Sequence, residues 1–248
     1  MDCAKAVGAR VAKPKKQIPQ MKGILKVGKK LPTLVAIPTT AGTGSETTLA
    51  AVITNSQTHE KYAINDHALI PEYALLDATL TTGLPKHITS TTGMDALTHA
   101  VEAYIGKGNT KQTKADAEKA VKLIFDNLVT AYNDGANLEA RENMLKGAYY
   151  AGAAFTRAYV GYVHAMAHTM GGFYHTPHGL ANSVILPHIL DWFGSSIYKK
   201  LAKLATVVGI DGESDEAKAK KFIEAIKDMN KAMNIPEKIT ELANPCGV

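Results

Sequence analysis
The sequence predicts a short α/β part followed by an all-α part, and three observations carry that prediction. Brief β-branched runs separated by turn residues fill the stretch from Leu31 to about Thr79. Beyond Pro85 the apolar residues recur at helical spacing to the end of the chain. With 248 residues, 46% of them hydrophobic, the chain is long for a single bundle and can bury a real core, so disorder is excluded. The division falls near residue 80, with domains expected at 1–80 and 81–248.

The first element is a helix. Asp2 to about Lys13 alternates Ala, Val and Lys at helical spacing, and Pro14 stops it. Strands are expected at Thr33–Ile37, Ala50–Thr54, Lys61–Ile64 and Tyr73–Leu76. A parallel sheet normally opens with a strand, and one helix with a few short strands buries too little surface to stand alone, so this first part reads as an incomplete domain. In the second part Val121, Ile124, Leu128 and Ala131 form one apolar stripe and Phe222, Ile226 and Met229 another, with Lys and Asp on the opposite faces. Polar breaks at 106–109, 133–137 and 209–214 separate the helices of a bundle. The chain has no internal repeat and no low-complexity tract.

Charge is unevenly placed. Residues 1–30 carry nine Lys or Arg against the single acid Asp2, a net of +8, whereas the remaining 218 residues sum to −3. No aromatic residue lies in that basic segment, so a nucleic-acid footprint is not expected. Two cysteines, Cys3 and Cys246, make neither a disulfide framework nor a CxxC site, and a reducing, cytoplasmic setting follows as the default. No apolar run approaches the roughly 18 residues a membrane span requires. The opening MDCAKAVGARVAK also has no apolar core of a signal peptide and no small-residue cleavage site.

The strongest chemical signal is a density of histidines. His164, His168, His175, His178 and His188 fall within 25 residues. In GYVHAMAHTMGGFYHTPHG, His164 and His168 are four apart and project from one helix face before the chain turns at Gly171, Gly172 and Pro177 toward His178. Upstream, GMDALTHAVEAY places Asp95 and His99 four apart as well. Alone, the Asp95/His99 pair reads first as ordinary packing residues and the His164/His168 pair equally well either way, but two such pairs facing each other across a bundle can enclose one ion. His59, His67, His87 and His188 read as satisfied structural histidines. A zinc peptidase needs Glu directly after the first His of HxxxH, and here that residue is Ala165. Imidazoles with one carboxylate suit Fe(II) or Zn(II) and make a poor site for Mg or Ca.

A second marked segment is LVAIPTTAGTGSETT, residues 34–48. A buried strand runs into Pro38 and then a Thr/Gly/Ser loop, which offers backbone N–H groups and hydroxyls without side-chain bulk. It is neither a GxGxxG fingerprint nor a P-loop, since no Lys follows Gly44; glycine-rich loops are common as ordinary turns, and the spacing alone makes this a weak anion-site candidate.

IPTTAGTGSE at 37–46, KYAI at 61–64, TGMDALTHAVEAY at 92–104 and GYVHAMAHTMGGFYHTPHGLAN at 161–182 together resemble the iron-dependent, group III alcohol dehydrogenases, the family of lactaldehyde and 1,3-propanediol oxidoreductases. The resemblance implies a dehydroquinate synthase-like fold, with a Rossmann-like N-terminal domain, here partial, before a helical metal-binding domain. It implies Asp95, His99, His164 and His178 as the ligands of Fe2+, with Zn2+ as the alternative, and His168 as a proton relay beside the nicotinamide. Thr39, Thr40, Thr43 and Lys61 match positions close to NAD or NADP, Val52 and Leu80 match apolar positions around that cofactor, and Phe155 matches an aromatic lining the substrate pocket. Simple core packing is the alternative for Phe155.

The implied reaction interconverts a primary alcohol or diol and its aldehyde. The substrate oxygen meets the metal, and the carbinol hydrogen leaves as hydride to the nicotinamide in a cleft between the domains. Family members carry text before Met1, including a GGGS loop, and continue past Pro245, so the chain reads as truncated at both ends. The alternatives are an inactive remnant serving only as a metal-binding or oligomer-forming module, and a glycerol dehydrogenase-like enzyme, which TGMDALTHAVEAY fits less well. A small-molecule substrate and a homodimer or higher homo-oligomer are the expected partners.

Overall fold
The computed structural model describes residues 1–56, 58 and 60–242. It divides the chain into two compact units, residues 1–39 with 44–77, and residues 40–43 with 78 onward.

In the first unit a helix, α1 (Asp2–Ala12), precedes five short strands, β1 (Gly23–Ile24), β2 (Val35–Ala36), β3 (Ala50–Thr54), β4 (Lys61–Asn65) and β5 (Tyr73–Ala74). They make a three-stranded sheet in the order β1-β4-β3 and a separate pair β2-β5. β3 and β4 are antiparallel with Val52 opposite Ala63 and Thr54 opposite Lys61, and the other two pairings are parallel. Because side chains alternate, one face of this hairpin buries Ala51, Tyr62 and Ile64 with Ala9, Met21, Val27, Leu31 and Leu69. The opposite face carries Val52 and Lys61.

Two strands are shorter than the sequence predicts. Thr33–Ile37 contracts to Val35–Ala36 and Tyr73–Leu76 to Tyr73–Ala74, since each pairs only with the other and Pro32, Pro38 and Pro71 flank them without an N–H to donate. β1 was not expected. Gly23 and Leu25 take positive φ (100° and 54°), so too little extended chain remains between them to show an alternating pattern.

Lys5 is fully buried in this unit. Its ammonium donates to the Thr48 carbonyl at 2.7 Å, Thr48 Oγ1 at 3.0 Å and the Ala50 carbonyl at 3.1 Å. Asp2, one turn earlier on α1, accepts from Ser45 Oγ at 3.1 Å and from the Val52 N–H at 3.0 Å. The first turn of α1 therefore ties down the end of the Thr/Gly/Ser loop and the start of β3.

The second unit contains α2 (Lys86–Ile105), α3 (Lys111–Asn133), α4 (Leu138–Ala158), α5 (Tyr162–Tyr174), α6 (His178–Phe193), α7 (Tyr198–Val207) and α8 (Asp215–Ala232). Side chains close the helix starts: Thr110 and Thr113 exchange reciprocal bonds ahead of α3, Asn137 caps α4 at 3.0 Å and Ser214 caps α8 at 3.1 Å. α3 is amphipathic and buries Val121, Ile124, Leu128 and Ala131, the stripe read from its sequence, while α8 buries Phe222, Ile226 and Met229. α2 is different. From Gly93 to Tyr104 it is buried all round, because α3, α4 and α6 pack against it, and this makes it the axis of the unit. Among the described residues no helix is long and apolar enough to cross a membrane.

Candidate metal centre
The central helix supplies the first half of the site. Asp95, His99 and Glu102 lie at i, i+4 and i+7 of α2, so their side chains share one face. All three are buried, at 4%, 6% and 4% exposure. α5 brings His164 from its first turn, and α6 brings His178 as its first residue.

The imidazoles gather around Asp95. One ligand atom each from Asp95, His99 and His164 lies within 4.8 Å of the others. His164 Nε2 and His178 Nε2 both stand 3.6 Å from Asp95 Oδ1. The His99 ring stacks on His164 with centroids 4.4 Å apart and on Phe155 at 4.1 Å. His168, one turn beyond His164, is exposed and its ring lies 4.8 Å from that of His178.

Two further residues complete the arrangement. Asn182, fully buried and one turn along α6 from His178, donates from Nδ2 to Asp95 Oδ1 at 2.7 Å and stands 3.1 Å from His178 Nε2. Glu102 accepts from His164 Nδ1 at 2.6 Å. Neither residue was singled out from sequence, although a carboxylate seven after Asp95 and an amide four after His178 share faces with those residues.

Electrostatics follow from this geometry. Burial would raise the Asp95 carboxyl, but His99, His164 and His178 around it hold it below the usual carboxylate range. Burial pushes the His99 imidazole down to about 3, so it is neutral. Burial also acts to lower His164, yet Asp95 and Glu102 outweigh it and hold the ring up at about 9. In this arrangement a proton on His164 supplies positive charge between two carboxylates.

The donor set fits a divalent transition metal. His99 Nδ1 and His164 Nε2 are buried nitrogens without a hydrogen-bond partner, an arrangement that is costly unless another group takes up the lone pair. Three imidazoles and a carboxylate are borderline donors of the kind Fe(II) and Zn(II) prefer.

The other residues that the sequence points to fall in both units. In the first unit Val52 and Lys61 share the exposed face of the β3–β4 hairpin, and Thr39 is exposed. In the second, Thr40 is half-buried, Thr43 is exposed, and Leu80 is 47% exposed on a turn of 3-10 helix at Ala78–Thr81. His188 Nε2 lies 3.0 Å from the Glu237 carbonyl oxygen, as expected of a satisfied structural histidine, and His67 and His87 are exposed. His59 and Cys246 lie outside the described residues.

Residues 89–244 match the C-terminal domain of the Fe-containing alcohol dehydrogenase family, and residues 1–78 match the iron-containing alcohol dehydrogenase domain. The chain belongs to the iron-containing alcohol dehydrogenase family. It is 43% identical to the 1,3-propanediol dehydrogenase of Klebsiella pneumoniae over 243 residues, covering 97% of this chain and 62% of that protein. It is 41% identical to alcohol dehydrogenase 4 of Saccharomyces cerevisiae with the same coverage. A solved 1,3-propanediol oxidoreductase superposes with a TM-score of 0.93 at 42% identity, covering 97% of this chain and 63% of the other. A sulfoacetaldehyde reductase from Bifidobacterium kashiwanohense, solved in complex with NAD+, superposes with a TM-score of 0.85 at 30% identity over 97% of this chain and 62% of the other. This member of the family thus spans about 62% of the length of these two curated relatives.

Proposed function
We propose that the chain interconverts a primary alcohol or diol and its aldehyde by hydride transfer. In this reading Asp95, His99, His164 and His178 hold Fe(II) or Zn(II), and NAD or NADP carries the hydride. The single observation behind it is the buried convergence of Asp95, His99 and His164 within 4.8 Å with two nitrogens left unpartnered. The NAD+ complex of the sulfoacetaldehyde reductase supports the nicotinamide half. In the same reading residues 1–80 are part of a Rossmann-like dinucleotide domain and 81–248 are the metal-binding domain.

When bound, the divalent ion supplies a Lewis acid to a substrate oxygen and the nicotinamide supplies the hydride acceptor. The chain's own groups supply the rest. Phe155, stacked on His99, keeps water from that side of the imidazoles. His168, exposed beside His178, takes the hydroxyl proton on a ring nitrogen and passes it to solvent. Thr39, Thr40 and Thr43 offer hydroxyls to the cofactor phosphates from a loop without bulky side chains. Val52, Leu80 and Lys61 offer two apolar contacts and a cation to the dinucleotide.

The test is anaerobic loading with Fe(II) or Zn(II), followed by metal analysis and by alcohol-dependent formation of reduced nicotinamide. About one ion per chain is expected in the wild type and none in Asp95→Ala or His164→Ala. Deuterium from a carbinol-deuterated alcohol should appear on the nicotinamide. Metal content no higher in the wild type than in the variants would refute the reading.

A further inference from the structure
Glu102 lies outside the ligand set, yet both oxygens of its carboxylate are engaged. It is 4% exposed on α2 and reaches across to the start of α5. Oε1 accepts from the Val163 N–H at 2.8 Å, and Oε2 accepts from the Gly161 N–H at 2.9 Å and from His164 Nδ1 at 2.6 Å. The residue at the N-cap of α5 is Gly161, which has no side chain to satisfy the free N–H groups of the first turn. A carboxylate from another helix does so instead, and it sits at the positive end of the α5 dipole.

We infer that Glu102 is a positioning residue for the metal site: it docks the α5 N-terminus and, through one bond, sets which nitrogen of His164 is presented to Asp95 and the other imidazoles. A neutral imidazole carries one N–H, and its tautomer is decided by the partner of the other nitrogen. With Glu102 Oε2 at 2.6 Å, the proton belongs on Nδ1. In the neutral ring, the form that can hold a cation, Nε2 then presents its lone pair on the side of Asp95 Oδ1, 3.6 Å away. The opposite tautomer would aim an N–H at the site and repel a cation. Glu102 also adds a second buried negative charge to that of Asp95, so the fixed charge of the site matches a divalent ion with neutral imidazoles.

This inference rests on the metal reading above, and the experiment separates the two. Glu102→Gln keeps the shape of the side chain and one amide oxygen for the α5 N–H groups. It removes the charge and forces one donor against another at either Val163 or the Gly161–His164 pair. The metal-free variant is expected to fold with the wild-type circular dichroism spectrum, and its zinc affinity, measured against a competing chelator, is expected to fall about 10- to 100-fold. Gly161→Ala supplies a second route, because a β-carbon there would stand 2.9 Å from Glu102 Oε1 and push the carboxylate aside with its charge intact. It too should weaken zinc binding. On the wild type alone, nitrogen NMR of the zinc-loaded chain should show His164 with a protected Nδ1–H and a zinc-bound Nε2. Unchanged zinc affinity in Glu102→Gln, with only a lowered unfolding midpoint, would reduce Glu102 to a helix cap and overturn the inference. Zinc on Nδ1 would overturn it as well. A wild type that holds neither zinc nor Fe(II) would overturn the metal reading and this inference together.

Discussion

A β-carbon on Gly179, the second residue of α6, would stand 2.4 Å from the carbonyl oxygen of Thr91 on α2. Only a residue without one lets α6 start this close to the central helix, and that closeness puts His178 and Asn182 beside Asp95. Gly179→Ala must therefore lever the start of α6 outward. Overpacking against a backbone atom costs about 1–3 kcal/mol, and the same shift carries two polar partners away from Asp95. The expected result is a lowered unfolding midpoint together with at least a tenfold loss of zinc affinity. Wild-type affinity in this variant would show that the contact does not place His178.

Legibility in the sequence followed how local each signal is. The stripe of α3 repeats within one element, so its burial could be read directly from Val121, Ile124, Leu128 and Ala131. α2 carried no stripe, because it is packed on every side, and only its Asp95/His99 spacing marked it. The sequence overstates β2 by three residues and β5 by two, since their length is limited by the partner strand and not by their own β-branched residues. The imidazoles of the site stood out because histidine is scarce and four-residue spacing aligns side chains. Glu102 and Asn182 did not, since a carboxylate and an amide are common on helices and their meaning depends on which group another helix delivers to them.

Asn182 gives a second prediction. Its amide is the donor to Asp95 Oδ1 at 2.7 Å in a fully buried setting. Asn182→Ala leaves that carboxylate oxygen without its donor, at a cost of about 1–3 kcal/mol. With chelator present, the denaturant midpoint should drop accordingly. Saturating zinc should restore part of the loss, because the ion gives Asp95 a cationic partner in place of the lost amide donor. Equal losses with and without zinc would place the role of Asn182 in α2–α6 packing alone.

Phe155 gives a third. Its ring lies nearly parallel to His99, 15° between planes and 4.1 Å between centroids. Phe155→Leu keeps apolar volume and removes the aromatic face, so the loss should be the stacking part alone, about 0.5–1.5 kcal/mol. Denaturant unfolding of the metal-free chain measures it. A double-mutant cycle with His99→Leu should return a coupling of the same size, and a coupling of zero would mean that the two rings are neighbours without interaction.

Lys5 gives a fourth, in the other unit and with a pH signature of its own. Burial pulls its ammonium down to about 8 from the ordinary 10.5, although Asp2 and Glu46 both act to hold it up. The folded protein therefore releases this proton before the unfolded chain does. Below about pH 8 both states are protonated, and the folded state bears the full cost of a buried charge. Between 8 and 10.5 the unfolded chain holds more protons, so the contribution of Lys5 to stability rises with pH, on the order of 1 kcal/mol per pH unit. Lys5→Met cannot titrate, and it leaves the Thr48 and Ala50 carbonyls and Thr48 Oγ1 without their donor. The variant should be the less stable protein at pH 7, and its deficit should widen toward pH 10 while the tyrosine titrations common to both chains cancel. Urea midpoints at pH 7, 8.5 and 10 for the pair decide the matter: a deficit that stays constant or shrinks would mean that the Lys5 proton is held as tightly in the fold as in the unfolded chain.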